Sequence, residues 1–63
     1  MNYSPTKNKS LALKMAKLDS KEKQICLNVI YCSQTENYYI DESSLIRNFE
    51  TLIATFEKGR KVN

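Results

Sequence analysis

The chain has 63 residues, with 10 Lys and Arg against 7 Asp and Glu, a single Gly and no histidine. A chain of this size forms one domain of marginal stability. Without histidine it also lacks the usual general base near neutral pH, imidazole-activated nucleophiles and histidine metal sites. We therefore expect one domain over residues 1–63 with loose ends at 1–4 and 60–63, no enzyme activity, no cofactor and no metal.

The first predicted element is a helix over residues 5–18. Pro5 suits the first position of a helix, with Ser4 as its cap, and Ser10 offers a later start. Large apolar residues then recur at the spacing i, i+4, i+7, which predicts a buried helix face. These residues are Leu11, Met15 and Leu18.

A second helix is predicted over residues 20–34. Asp19 and Glu22 have the spacing of a capping box, and apolar residues follow on several sides of the helix, as in a central helix with two neighbours. An alternative stays open for residues 25–39. "ICLNVIYC" is rich in β-branched and aromatic residues, and "NYYI" could return as a second strand across "SQTE". Because that turn has no Gly, we favour the helix.

The third predicted helix covers residues 42–58. Its apolar residues fall on one arc roughly 120° wide, which is typical of an amphipathic helix. Asp41 or Ser43 would cap its start and Gly59 would end it. The arc contains Leu45, Ile46, Phe49, Leu52, Ile53 and Phe56. The expected fold is therefore an all-α three-helix bundle, which homodimerisation could complete. Its expected core is Leu11, Met15, Leu18, Ile25, Val29, Ile30, Leu45, Phe49, Leu52, Ile53 and Phe56.

The two cysteines and the short apolar runs bear on location. Cys26 and Cys32 are six residues apart, about 9 Å on a helix or about 20 Å on a strand, too far for a disulfide within one element. We expect buried free thiols in a reducing compartment; a disulfide or a metal ion shared between two chains is the alternative. The longest apolar run, residues 29–32, is too short to span a membrane, and lysines interrupt any signal-like segment. The expected location is the cytoplasm.

Two stretches resemble known regulators. "KLDSKEKQICLNVIY" resembles the start of helices in winged-helix and response-regulator DNA-binding domains, which implies nucleic-acid binding. "IRNFETLIATF" resembles the last helix of the two-helix aspartyl-phosphate phosphatases of sporulating bacteria. Glu50 stands where that family has its catalytic Asp, and the preceding Ser-Gln-Glu is absent. This second resemblance implies regulation by docking on another protein and does not imply the phosphatase activity.

The leading functional hypothesis is a small non-enzymatic regulatory protein that docks on a protein partner. Tyr38 and Tyr39, adjacent in the expected loop, are the predicted contacts together with Arg47. The alternative is a winged-helix or helix-turn-helix-like nucleic-acid-binding regulator that uses the basic residues near the two ends of the chain. These residues are Lys7, Lys9, Lys14, Lys17, Lys21, Lys23, Arg60 and Lys61.

Overall fold

One helix packs on a four-stranded antiparallel sheet in the computed structural model, which describes residues 4–43 and 45–63. The strand order is β2-β1-β3-β4. The elements are α1 (Lys9–Lys23), β1 (Cys26–Cys32), β2 (Asn37–Asp41), β3 (Glu50–Glu57) and β4 (Arg60–Lys61). The prediction of an all-α three-helix bundle is therefore wrong.

Helix α1 has a polar cap at its start and a left-handed residue at its end. The side-chain oxygen of Asn8 accepts a hydrogen bond from the backbone N–H of Leu11 at 3.1 Å. Gln24 adopts φ 57°, and its N–H bonds the carbonyl of Ser20. These interactions satisfy backbone groups that helix ends leave without partners. The helix begins after the predicted start at residue 5 and continues beyond the predicted end at 18.

The predicted second helix, residues 20–34, does not form. Asp19 and Glu22, read as its cap, lie inside α1. Residues 26–41 instead form the hairpin of β1 and β2, in which Cys32 pairs with Asn37. The alternative that the sequence left open is the one observed. A central strand buried on both faces has an almost continuous apolar run, so its periodicity does not distinguish it from a buried helix.

The predicted third helix, residues 42–58, is also wrong. Asp41 accepts the N–H of Ser43, and the Ser43 hydroxyl accepts the N–H of Leu45. These local bonds hold the backbone in turns and compete with helix formation. Residues 42–43 and 45–49 lead across to β3. We call this segment the crossover.

Strand β3 has a β-bulge and apolar residues on both of its faces, which made it look helical in sequence. Val29 pairs with Ala54, whereas the next residue, Ile30, pairs with Leu52, so Ile53 is an extra residue in β3. Leu52 pairs with Ile30 on the crossover side of the sheet, whereas Ile53 packs against the core under α1, so these neighbours in sequence are apolar on both faces. That adjacency imitates the i, i+1 pairs of an amphipathic helix.

Gly59 makes the tight turn of the last hairpin and does not end a helix. Its φ is 87°, and a Cβ built there would lie 2.7 Å from the Cβ of Lys21. The tail beyond it, expected to be loose, pairs with β3. Val62 donates to the carbonyl of Thr55, and the N–H of Thr55 donates to the carbonyl of Asn63.

The helix turns its small residues toward the sheet. Ala12, Ala16 and Ser20 are fully buried, at 0% exposure. The core that they share with the sheet contains Leu27, Val29, Ala54 and Phe56. Of the expected core residues, Val29, Ile30 and Phe56 are buried and Ile25, Leu52 and Ile53 are half-buried. The expectation is wrong for Leu11, Met15, Leu18, Leu45 and Phe49, which are exposed.

The crossover lies on the other side of the sheet. Strands β2 and β3 both run antiparallel to β1 on its two sides, so the segment joining them has to cross β1. Leu27 and Val29 face α1, and Asn28 between them therefore points to the opposite face. The Asn28 side chain donates to the carbonyls of Asp41 and Glu42 at 3.3 Å. We call this side the crossover face and the other side the helix face.

Candidate docking surfaces

The crossover presents large apolar side chains to solvent. Leu45 is 69% exposed, Phe49 63% and Ile46 38%. Arg47, between them, is also exposed. We call these four residues the crossover surface. A cluster of exposed apolar side chains around an arginine is the composition expected of a protein contact.

Hydrogen bonds fix one end of the crossover to β1 and the other end to Ser33, the residue that follows β1. At its start, Asn28 holds two carbonyls, and its own side-chain oxygen accepts the hydroxyl of Thr55 at 2.7 Å. At its end, the N–H and the hydroxyl of Ser33 both donate to the carbonyl of Phe49, at 2.8 and 3.2 Å. The backbone that bears the exposed side chains is therefore fixed at both ends. Less conformational entropy is then lost when a partner binds.

Phe49 combines exposure with an unfavourable backbone. It lies in a turn closed by the bond from the N–H of Glu50 to the carbonyl of Arg47, at 3.1 Å, and its φ is 68°. The left-handed region costs a non-glycine residue roughly 1–2 kcal/mol. The other non-glycine residues with positive φ in the described chain are polar, namely Gln24, Glu36 and Lys58. An outlier of this kind motivates a functional hypothesis.

The two predicted tyrosine contacts lie on opposite faces of β2. Tyr38 is half-buried against the core, and its ring centroid is 4.9 Å from that of Tyr31. Tyr39 is half-buried too, and its hydroxyl lies 3.1 Å from that of Thr35. The structure therefore does not group the two rings, and of the three predicted contacts only Arg47 belongs to the crossover surface. Sequence reasoning missed Leu45 and Phe49 because it placed them in the core.

A second surface lies on the outer side of α1. Leu11 is 43% exposed, Met15 37% and Leu18 55%. Three exposed lysines of the same helix lie beside this apolar row. We call the six residues the α1 outer surface: Leu11, Lys14, Met15, Lys17, Leu18 and Lys21.

The structure brings some of the predicted basic residues together. The Lys21 side chain lies against Gly59, so the basic residues of the last hairpin adjoin the end of α1. Arg60 and Lys61 were predicted to bind nucleic acid together with the helix lysines. Lys58, in the same hairpin, was not part of that prediction. Lys7 lies elsewhere, with its ammonium 3.3 Å from the carbonyl of Thr35. Lys9 and Lys23 are in the first and last turns of α1.

The two cysteines differ in environment. Both are free; Cys32 is buried and Cys26 is exposed, so the expectation of two buried thiols holds for Cys32 alone. The pKa of Cys32 is lowered chiefly by a hydrogen bond from the Thr35 hydroxyl, with further help from the backbone N–H of Thr35. Burial opposes this shift.

Comparisons with known proteins supply no relative. No protein-family model, no curated protein and no solved structure matches the chain. Within residues 4–43 and 45–63, no helix is long and apolar enough to cross a membrane. Among the same residues, no three His, Cys, Asp or Glu side chains are grouped so that they could hold a metal ion.

Proposed function

We propose that this protein is a small non-enzymatic regulatory protein that docks on a protein partner through the crossover surface. The observation that carries the proposal is Phe49, an exposed aromatic ring on a left-handed backbone. A cytoplasmic location is part of the proposal. An exposed free thiol at Cys26 supports it, since free thiols persist in reducing compartments.

The energetics of Phe49 support a role outside folding. A chain of this size has little stability to spare, and a left-handed Phe lowers it by roughly 1–2 kcal/mol. Burial of the ring does not offset this, because 63% of the residue stays exposed. A Gly at this position would remove the conformational cost. The ring therefore contributes little to folding, and binding to a partner is the use that fits it.

The surroundings of the crossover surface indicate the chemistry of its partner. Leu45 and Phe49 offer apolar anchors, and Arg47 can form a bidentate bond to a carboxylate. Asp41, Glu42 and Glu50 flank the segment along the chain. The proposed partner site is an apolar pocket that has one acceptor for Arg47 and a neutral or basic rim.

The alternative expectation, nucleic-acid binding by the lysines, has less support. Lys21 and the last hairpin do form a joint basic region. However, Leu11 and Leu18 are exposed among those lysines, and contact with a duplex would press them against hydrated phosphates. Lys7 lies by the turn that follows β1 and does not join the region.

Site-specific photo-crosslinking tests the proposal. A photoreactive phenylalanine analogue is placed at Phe49 and, as a matched control, at Glu36, which is exposed and left-handed as well. After irradiation in cells of the source organism, position 49 should give one dominant adduct with another protein, and position 36 should not. Identical adducts at both positions, or an adduct at 49 that nuclease treatment removes, would contradict docking on a protein through this surface.

A further inference from the structure

Helix α1 turns one large apolar residue, Leu13, toward the core and leaves three others exposed. Ala12, Ala16 and Ser20 face the sheet, while Leu11, Met15 and Leu18 face solvent. An amphipathic helix in a globular domain normally turns its large apolar residues inward. Here the row runs for about 10 Å along the helix, at 1.5 Å per residue. Leu11 and Leu18 lie nearly opposite to Ala16, and Met15 lies on the flank, about 100° from it.

Leucines and lysines interleave along the outermost line of this helix. At 100° per residue, Leu11, Lys14, Leu18 and Lys21 all fall within roughly 40° of the direction opposite to Ala16. Lys17 flanks them on the side of the last hairpin, where Lys21 lies against Gly59. Within α1, all of which the structure describes, the one exposed acid is Glu22 in the last turn.

This pattern matches the surface of an anionic lipid bilayer. Leucine side chains can enter the boundary between headgroups and acyl chains, while lysine stems lie along it and hold their ammonium groups among the phosphates. We propose that the α1 outer surface binds peripherally to anionic membranes, with α1 parallel to the membrane plane. The helix lies on the interface and does not cross it.

The charge distribution of the α1 outer surface favours an anionic membrane over a second copy of the chain and over a nucleic acid. A second copy paired along the outermost line would bring the lysines of one helix close to the lysines of the other, and like charges repel. A nucleic acid would bring phosphates onto Leu11 and Leu18, which a bilayer accommodates and a duplex does not. The crossover surface is also apolar, but Asp41 and Glu42 beside it would be repelled by anionic lipids. It therefore points away from the bilayer and stays open to a protein.

Vesicle co-sedimentation tests the proposal with the full chain. The probes are vesicles of phosphatidylcholine alone and of phosphatidylcholine with about 30% phosphatidylglycerol, a content that gives a clear negative surface potential. The chain should bind the anionic vesicles and not the neutral ones. Replacing Lys14, Lys17 and Lys21 with Gln should weaken binding about 100-fold, since each lysine near an anionic surface contributes roughly fivefold.

Two matched leucines separate membrane insertion from general charge attraction. Leu18→Ser should weaken vesicle binding roughly tenfold. Leu45→Ser, on the crossover face, should leave it unchanged. Both residues are exposed, so both variants should fold, and thermal unfolding checks this.

Three results would overturn the membrane proposal. One is no sedimentation with anionic vesicles. The second is an equal loss of vesicle binding in the Leu18→Ser and Leu45→Ser variants. The third is tight binding to duplex DNA or polyglutamate without vesicle binding, which would assign the lysines to a nucleic acid or to an acidic protein. Because the crosslinking test uses the opposite face of the sheet, this proposal and the docking proposal can fail independently.

Discussion

The two faces of the sheet are covered in different ways. On the helix face, alanines of α1 pack closely over Leu27, Val29 and Phe56, all of which are buried. On the crossover face, polar bonds from Asn28 and Ser33 hold a segment whose large side chains point outward. Both faces bury apolar side chains, since Ile30 on the crossover face is 3% exposed, but the segment that covers the crossover face is also held by hydrogen bonds to its backbone.

This difference separates stability from recognition. Apolar burial is the main favourable contribution to folding, so most of the free energy of unfolding should come from the helix face. The crossover contributes less and instead fixes the position of Leu45 and Phe49. Mutations on the two faces should therefore have different effects.

The largest expected difference is between the two phenylalanines. Phe56→Ala removes a buried ring from the helix face and should cost about 3–5 kcal/mol, enough to unfold much of a domain this small. Phe49→Ala should change stability by less than about 0.5 kcal/mol, as for most surface substitutions. Urea unfolding followed by circular dichroism measures both. Similar losses in the two variants would show that the faces do not differ in this way.

The next effect concerns the hydrogen bonds under the crossover. Asn28→Ala leaves the Thr55 hydroxyl and two carbonyls without their partner and should cost about 1–3 kcal/mol. A double-mutant cycle with Thr55→Val is the control, because removing both partners should cost less than the sum of the single losses. If the two losses simply add, the bond between these side chains does not couple them.

Of the helix face, the sequence predicted the presence of the first helix but not the side that it buries. The Lys-rich amphipathic segment predicted a first helix, and the β-branched run of β1 left a hairpin open as an alternative. Periodicity did not show which side of α1 packs on the sheet, because both its alanine row and its leucine row have helical spacing. Burial then depends on how closely the helix can approach the sheet.

The crossover face could not be anticipated. Apolar residues on both faces of β3, together with those of the crossover, gave this stretch the apparent period of a helix, and Asp41 looked like a helix cap while it in fact forms a local turn. Phe49 was placed in the core since nothing in the sequence marks a left-handed residue that is not Gly or Asn. The anchors Asn28 and Ser33 carry no motif, because their bonds join residues that are distant in sequence.

The smallest expected effect is a pH dependence of the free energy of unfolding, caused by Cys32 on the crossover face. The pKa of Cys32 is lower in the folded chain than the ordinary thiol value of 9.0, chiefly because of the Thr35 hydroxyl. The folded state therefore favours the thiolate, and this contribution is fully present above the unfolded pKa and lost as pH falls through the folded pKa.

Unfolding by urea, with a reductant present, measures this effect from neutral pH to pH 9.0, the ordinary thiol value. The wild type should gain stability relative to Thr35→Val as pH rises. Cys26→Ser, which removes the exposed thiol, should keep the wild-type slope. Equal pH profiles for wild type and Thr35→Val would rule out the hydroxyl as the cause.

The separation of stability from recognition is tested most directly by Phe49→Gly, measured for unfolding and for partner capture. Removing the left-handed Phe should raise the free energy of unfolding by about 1 kcal/mol, as Gly adopts that backbone freely. The same change should abolish capture of the protein that crosslinks to position 49, while Glu36→Gly keeps it. A Phe49→Gly chain that is less stable than the wild type, or that still captures the partner, would contradict the account.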